Sequence, residues 1–332
     1  MTSSTYDVVA VGNAIIDILK PVSDGFLLEE SINKGAMTLI DEARADHLTA
    51  RLSDPVVAAG GSAANTVTGI ASFGGRTAYI GKVAQDELGA RFTREFRAAG
   101  VTFETPPRAG APGTARSLIV VTEDGQRSMN TYLGASTLLS AEDIDAKLIE
   151  AGATLFLEGY LFDRDEAKAA FVRAAEIATS ANRKVSLTLS DTFCVDRHRE
   201  SFRHLVSGHV DILFCNESEI LSLYESKDLG DALAQARSAC PLVAVTRSEH
   251  GSLIATAHET IEIKALPVSK VVDSTGAGDQ YAAGFLFGYA RKKSLAECGA
   301  LASLAAAEVI SHMGPRPEVN LRELARKHGI AV

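Results

Sequence analysis

The sequence predicts an α/β fold: three layers, with a mostly parallel central sheet between helices, plus a small β-sheet lid. Three observations predict it. Short apolar runs alternate with longer amphipathic stretches along most of the 332 residues, the rhythm of strand–helix–strand units. Two stretches, roughly 16–42 and 112–134, replace that rhythm with half-polar alternation, as expected of a sheet with one wet face. Hydrophobic residues make up 46% of the chain and charged residues 23%, enough for one large core and a small appendage. A single domain over 1–332 is expected, with the lid built from the two inserted stretches.

In chain order, Tyr6–Gly12 (YDVVAVG) is a buried first strand ending on a glycine. Ala63–Phe73 follows with helical periodicity, then a strand at Thr77–Gly81 and a helix at Leu88–Ala99. Later strands fall at Thr154–Gly159 (TLFLEG), Lys184–Leu189, Ile212–Cys215 and Leu242–Thr246. Helices fall at Asp165–Ser180, Arg199–Ser207, Ser218–Tyr224 and Asp231–Ala239. Buried strands joined through helices run parallel, with right-handed crossovers. Pro21–Leu39 is half-polar and alternating, and the runs Ala115–Thr122 and Ser128–Tyr132 flank Glu123-Asp124-Gly125. Asp-Gly between alternating runs signals a hairpin. Gln280–Ile310 is Ala-rich and helical, with a break near Lys293-Ser294.

The net charge of −9 argues against nucleic-acid or anionic-lipid partners. No apolar run reaches the roughly 18 residues of a membrane span, and no basic-then-apolar leader opens the sequence. A cytoplasmic protein is expected. Cys194, Cys215, Cys240 and Cys298 lie far apart with no Cys-x-x-Cys, the pattern of buried reduced thiols.

Four segments carry polar chemistry. In Asp273–Asp279 (DSTGAGD) a short strand ending near Val272 is expected to run into a glycine turn that opens a helix. The N–H groups of Gly276, Ala277, Gly278 and Asp279 would converge there on an anion. The Asp279 carboxylate could accept a proton from an attacking hydroxyl. An ordinary glycine turn capped by Asp279 explains the run equally well. Gly12-Asn13 and Asp17 follow the first strand, where α/β sheets bind ligands. In Ala59–Asn65 (AGGSAAN), Gly60-Gly61 permits close backbone approach and Ser62 is placed to cap a helix. Asn216 and Glu219, spaced i, i+3 after a buried run, suit water-mediated Mg²⁺ or a capping box, and the local pattern alone favours the box. The Walker pattern, G-x-G-x-x-G, G-x-S-x-G and H-E-x-x-H are all absent.

In order and spacing, Gly12-Asn13…Asp17, Gly60-Gly61-Ser62…Asn65, Asn216-x-x-Glu219 and Asp273-x-x-Gly276-Ala277-Gly278-Asp279 resemble the ribokinase-like (PfkB-type) carbohydrate and nucleoside kinases over nearly the whole chain. The resemblance implies a ribokinase-like body of about nine strands with a β lid, ATP as phosphoryl donor, and Mg²⁺. It implies Asp279 as general base, Gly276, Ala277 and Gly278 as anion hole, and Asn13, Asp17, Gly60, Gly61, Ser62 and Asn65 around the acceptor. It implies Asn216 and Glu219 at Mg²⁺ and phosphate. Thr246, Ser248 and Gly251 (TRSEHG) are similar to a nucleotide loop in which Ser248 stands where Gly is usual. Asp273 and Thr275 occupy positions that help bind a monovalent cation, K⁺, in related enzymes.

Within the family the sequence is most similar to the adenosine kinases, through Gly12–Ile18, Ser186–Phe193, Val210–Glu219 and Arg127-Ser128. Ala14 departs from that group's proline. The resemblance implies a nucleoside 5′-hydroxyl as acceptor, adenosine foremost, with Arg127 reaching phosphate and Tyr160 and Phe162 lining a base pocket or packing in the core. A sugar kinase of fructokinase, ribokinase or 2-keto-3-deoxygluconate kinase type is the alternative. A non-catalytic nucleotide or sugar sensor is the reading outside enzymes. The lid leaves monomer and homodimer open.

Overall fold

The computed structural model describes residues 4–110, 112–163 and 165–332. The strands are β1 (Tyr6–Val11), β2 (Ile15–Pro21), β3 (Met37–Leu39), β4 (Val56–Gly60), β5 (Thr77–Ile80), β6 (Val101–Phe103) and β7 (Ala115–Val121). They continue as β8 (Arg127–Tyr132), β9 (Gly152–Glu158), β10 (Lys184–Thr188), β11 (Ile212–Asn216), β12 (Leu242–Thr246), β13 (Ser252–Thr256) and β14 (Thr260–Ile263). Nine form one sheet in the order β14-β13-β12-β11-β10-β9-β1-β5-β6, and five form a second in the order β3-β8-β7-β2-β4.

Alternation along β1 creates the three layers. Val8 and Ala10 pack on one face with the helices Ser62–Ser72, Ala277–Ala290 and Leu295–Val309. Val9 and Val11 pack on the other with Asp165–Ser180 and Thr192–His209. Successive strand side chains point to opposite faces, so a central strand needs apolar residues at every position. Side-chain caps fix where helices start. Asp86 accepts from Gly89 N at 2.7 Å at the start of Glu87–Ala98. Ser294 and Glu297 form a capping box that opens Leu295–Val309, which explains the break at Lys293-Ser294. Cys194, Cys215, Cys240 and Cys298 are buried, as expected.

Several elements differ from expectation. Pro21–Leu39 is mostly not strand: Ser23 caps a helix over Asp24–Glu29, and only Pro21, at the end of β2, and Met37–Leu39 pair in the sheet. The small sheet also recruits β4, outside both expected stretches, antiparallel to β2 with Ile15 opposite Gly60. The unanticipated helix Glu42–Arg51 packs on β7 and β8. At the other edge, β13 and β14 turn back antiparallel, because loops this short cannot make a parallel crossover. No strand precedes Asp273: residues 264–276 are irregular, and Val272 N donates to Ile310 O at 2.8 Å instead of to a sheet. Among the described residues no helix is long and apolar enough to cross a membrane.

Candidate active site

Parallel strands β1, β9, β10, β11 and β12 end at one edge of the large sheet. There they deliver Asn13, Glu158, Thr188, Asn216 and Thr246 to the wall of a cavity of about 1090 Å³. The small sheet supplies Ile15, Asp17, Ile119, Arg127 and Met129 from across it. Ligands of open α/β sheets lie at such carboxyl ends.

Asp279 sits at the centre, in the first turn of Ala277–Ala290. Gly276 is the N-cap at φ +75°, and a Cβ on it would come within 2.6 Å of Pro315 O. Gly278 has open space where its Cβ would be and lines the cavity, while Ala277 N donates to Ser274 O at 3.3 Å within the turn. The first-turn N–H groups of a helix lack intrahelical acceptors and carry the positive end of its dipole. Ser62 Oγ donates to Asp279 Oδ1 at 2.6 Å, and Asn65 Nδ2 donates to Oδ2 at 3.0 Å. Burial pushes the Asp279 carboxyl up to about 6, while those two donors pull it down. Ser62 thus does not cap its own helix. Gly61, at φ +102°, is the N-cap, and no side chain closes it.

Beside Asp279 lies a polar floor. Asp17 on β2 is buried, and its carboxylate occupies the space a side chain on Gly60 would need, 2.0 Å from an added Cβ. Gly61 is equally constrained, since a Cβ there would lie 2.2 Å from Asn13 O. Burial raises Asp17 to about 7. Arg316 and Arg127 oppose the shift, and Asp279 and Asp273 add to it. Glu158, at the end of β9, is 1% exposed. Its Oε1 accepts from Asn13 Nδ2 at 2.8 Å and Asn13 N at 3.3 Å, and its Oε2 accepts from Ala63 N at 2.8 Å. Burial also raises Glu158 to about 7, against those donors.

On the far side, Asn216 and Glu219 line the cavity and also form a capping box. Glu219 N donates to Asn216 Oδ1 at 2.8 Å, and Asn216 N donates to Glu219 Oε2 at 2.9 Å. Glu219 is raised to about 7 by burial, with Asp191 and Asp279 adding. Among the described residues no three His, Cys, Asp or Glu side chains gather to hold a metal alone. This oxygen-only pair fits Mg²⁺ that keeps its waters and phosphate ligands. Thr246, Ser248 and Gly251 border the same end, which Leu266, Val268, Val271, Ala306 and Ile310 line with apolar surface. Ser248 takes φ +50°, a left-handed conformation that explains why glycine suits the position.

Other expected residues divide. Arg127 and Tyr160 line the cavity, and Tyr160 donates to Ser190 O at 3.3 Å. Phe162 does not. It is buried in the core, stacked on Phe202 with ring centroids 4.4 Å apart. Asp273 is already satisfied: Oδ1 accepts from Thr275 N and Thr275 Oγ1 and forms an ion pair with Arg127 Nε at 3.2 Å, and Oδ2 accepts from Gly314 N. With a guanidinium beside it, its carboxylate is a poor fit for an added monovalent cation. Glu158 and Arg316 went unrecognised in the sequence. An acid ending the apolar run TLFLEG was a usable signal for Glu158; nothing local marks Arg316.

A parallel sheet whose strand ends surround a buried carboxylate at a glycine-rich helix start defines a small-molecule kinase. The sequence pattern of the pfkB family carbohydrate kinases matches residues 31–320, and the chain belongs to that family. It is therefore a kinase acting on a nucleoside or sugar. An uncharacterized sugar kinase of Archaeoglobus fulgidus is 30% identical over 252 residues, 75% of this chain and 96% of the relative. The crystal structure of adenosine kinase from Sinorhizobium meliloti is 50% identical, with a TM-score of 0.93 over 98% of this chain and 100% of that one. That of a probable sugar kinase from Rhizobium etli CFN 42 is 47% identical, with a TM-score of 0.94 over 99% and 100%.

Proposed function

We propose that the chain transfers the γ-phosphoryl group of ATP to the 5′-hydroxyl of a nucleoside, adenosine foremost, with Asp279 as general base. The observation that carries this reading is the Asp279 carboxylate, held by Ser62 and Asn65 at the helix start in the shared cavity. A base with a value near 6 is ionised at neutral pH, yet basic enough to take a hydroxyl proton as the bond to phosphorus forms. ATP supplies the phosphoryl group when bound, and Mg²⁺ neutralises charge on its phosphates. Gly276, Ala277 and Gly278 form the helix start that faces the transferred group with the positive end of its dipole, and Arg127 adds positive charge from the small sheet. Asn13, Asp17, Gly61, Ser62 and Asn65 orient the acceptor's ribose hydroxyls, and Gly60, which does not line the cavity, leaves the room that the Asp17 carboxylate fills. Thr246, Ser248 and Gly251 border the nucleotide. The small sheet acts as a lid that excludes water.

A nucleoside is favoured by the wall above the polar floor. Met37, Leu39, Met129, Leu133 and Tyr160 offer apolar and aromatic surface to a flat base that a free sugar lacks. The likeness to the Sinorhizobium meliloti adenosine kinase supports the same reading. The product would then be a nucleoside monophosphate, a cytoplasmic salvage reaction. The carboxylates of Asp17 and Glu158 favour a second reading, a free-sugar kinase, because both can accept from sugar hydroxyls. An ATP-consumption screen with adenosine, inosine, guanosine, ribose and fructose tests the choice. Turnover of adenosine at the highest kcat/KM supports the first reading, and preference for a sugar overturns it.

A further inference from the structure

The segment after the last long helix of the body packs directly beneath the active-site turn. Gly314 N donates to Asp273 Oδ2 at 2.9 Å, and Pro315 O accepts from Gln280 Nε2 at 3.0 Å. Pro315 also backs Gly276. Pro315 and Pro317 flank Arg316 and restrict the backbone around it. The Arg316 guanidinium lies over the Phe96 ring, 5.1 Å from its centroid, and Nε donates to Asn65 Oδ1 at 3.4 Å. Its Nη2 is buried with no hydrogen-bond partner.

Asn65 is the side chain that holds Asp279 from below, and its amide could in principle face either way. Two neighbours remove that freedom. The Asp279 carboxylate only accepts, so it takes Nδ2, and the Arg316 guanidinium only donates, so it takes Oδ1. Asn65 is 4% exposed, so water does not replace a lost partner at low cost. Charge acts in the same place. Asp17 on β2 faces Arg316, the Asp279 carboxylate, Arg127 from β8 and Asp273. Arg316 in turn faces Asp17, Glu95 from the helix Glu87–Ala98, and Tyr79 from β5. Burial pulls Arg316 down to about 10, with Asp17 foremost among the groups opposing it, so it stays cationic at neutral pH.

We propose that Arg316 is a positioning residue of the acceptor site: its guanidinium, seated on Phe96, fixes the amide sense of Asn65 and supplies the positive charge that faces Asp17. The proposal rests on the acceptor reading above. Arg316 lies behind the cavity wall and acts through its two neighbours. Removing its charge leaves Asp17 opposed by Asp279 and Asp273 with only Arg127 in compensation, so Asp17 ionises at higher pH.

The test is steady-state kinetics from pH 5.5 to 9 for Arg316→Ala, Arg316→Lys and Arg316→Gln. The acceptor is whichever of adenosine, ribose or fructose the wild-type protein phosphorylates best, so failure of the adenosine assignment does not mimic failure of this one. For Arg316→Ala, acceptor KM at pH 7 should rise about tenfold, and the acid limb of kcat/KM should move up by about one pH unit, the same energy in both. KM for ATP should stay within about twofold. Arg316→Lys restores the limb through its charge but leaves KM raised, because an ammonium lacks the planar fork. Arg316→Gln keeps bulk and loses charge, so it shows the shifted limb even where the alanine variant fails to fold. Unchanged acceptor kinetics, or an equal loss at every pH for acceptor and ATP alike, would overturn the proposal.

Discussion

Ser62 and Asp279 stand 217 positions apart in the chain, and the Ser62 hydroxyl donates to Asp279 Oδ1 at 2.6 Å. The contact joins the first turns of two helices, Ser62–Ser72 and Ala277–Ala290. Burial favours the protonated carboxyl, and the hydroxyl favours the carboxylate. Their balance leaves a group that is ionised at neutral pH and still basic.

Removing one side of that balance has a calculable sign. In Ser62→Ala the carboxylate loses a donor, so Asp279 titrates higher. Wild-type activity should fall as pH drops, with a midpoint between about 6 and 7, the values of Asp279 and Asp17. The variant's midpoint should lie higher by roughly half to one pH unit, with kcat at pH 7 down about three- to tenfold. A pH–rate series on both proteins checks this. An unmoved midpoint counts against the hydrogen bond's role.

Gly60 lies against Asp17. The 2.0 Å between Asp17 Oδ2 and an added Cβ forces the carboxylate aside in Gly60→Ala. Acceptor KM should rise about tenfold or more, with ATP KM within about threefold of wild type. Parallel titrations of the two substrates separate these effects, and an equal change in both would argue for general disruption.

Glu158 accepts three N–H hydrogen bonds from Asn13 and Ala63. A glutamine there turns one acceptor into an amide donor facing another donor. Glu158→Gln should lower stability by about 1–3 kcal/mol, the penalty of a buried unsatisfied polar group, and raise acceptor KM. Denaturant unfolding and kinetics measure the two effects, and a variant of wild-type stability would contradict the network.

Stability should also follow pH in an unusual direction. Asp17, Glu158 and Glu219 are raised to about 7, and Asp279 to about 6, from 3.8 for the aspartates and 4.5 for the glutamates. The folded protein therefore binds these protons more tightly than the unfolded chain. Their stabilisation is full below about pH 4 and is lost as pH rises through 6 to 7. Glu30, lowered to about 2 by Arg51, His47 and Arg44 against burial, acts oppositely but below this window. Tm of the unliganded protein should rise from pH 8 to pH 5.5, by roughly 2–4 °C per kcal/mol regained. A Tm that falls on acidification across that window contradicts the burial of these carboxylates.

How much was legible in the sequence depended on whether the signal was local. The turn at Gly276–Asp279 and the polar residues after β1 and β11 could be read because a glycine nest and a strand end are each written in a few consecutive residues. Asn216 and Glu219 form the capping box that the local pattern favours, and the same pair lines the cavity. The helix Asp24–Glu29 escaped because six residues leave little periodicity to detect. Val56–Gly60 escaped because its role depends on pairing with β2, a tertiary fact. Arg316 could not be found at all: its meaning lies in Asn65, Phe96 and Asp17, which only the folded chain brings near.

The most direct test of Asp279 as general base is the turnover of Asp279→Asn beside its affinity for ATP. The substitution preserves shape and removes the proton acceptor. Turnover should fall by about 10²–10⁴-fold, the usual worth of a general base, while the dissociation constant for ATP changes less than about threefold. An Asp279→Asn protein that turns over at near the wild-type rate would contradict the account.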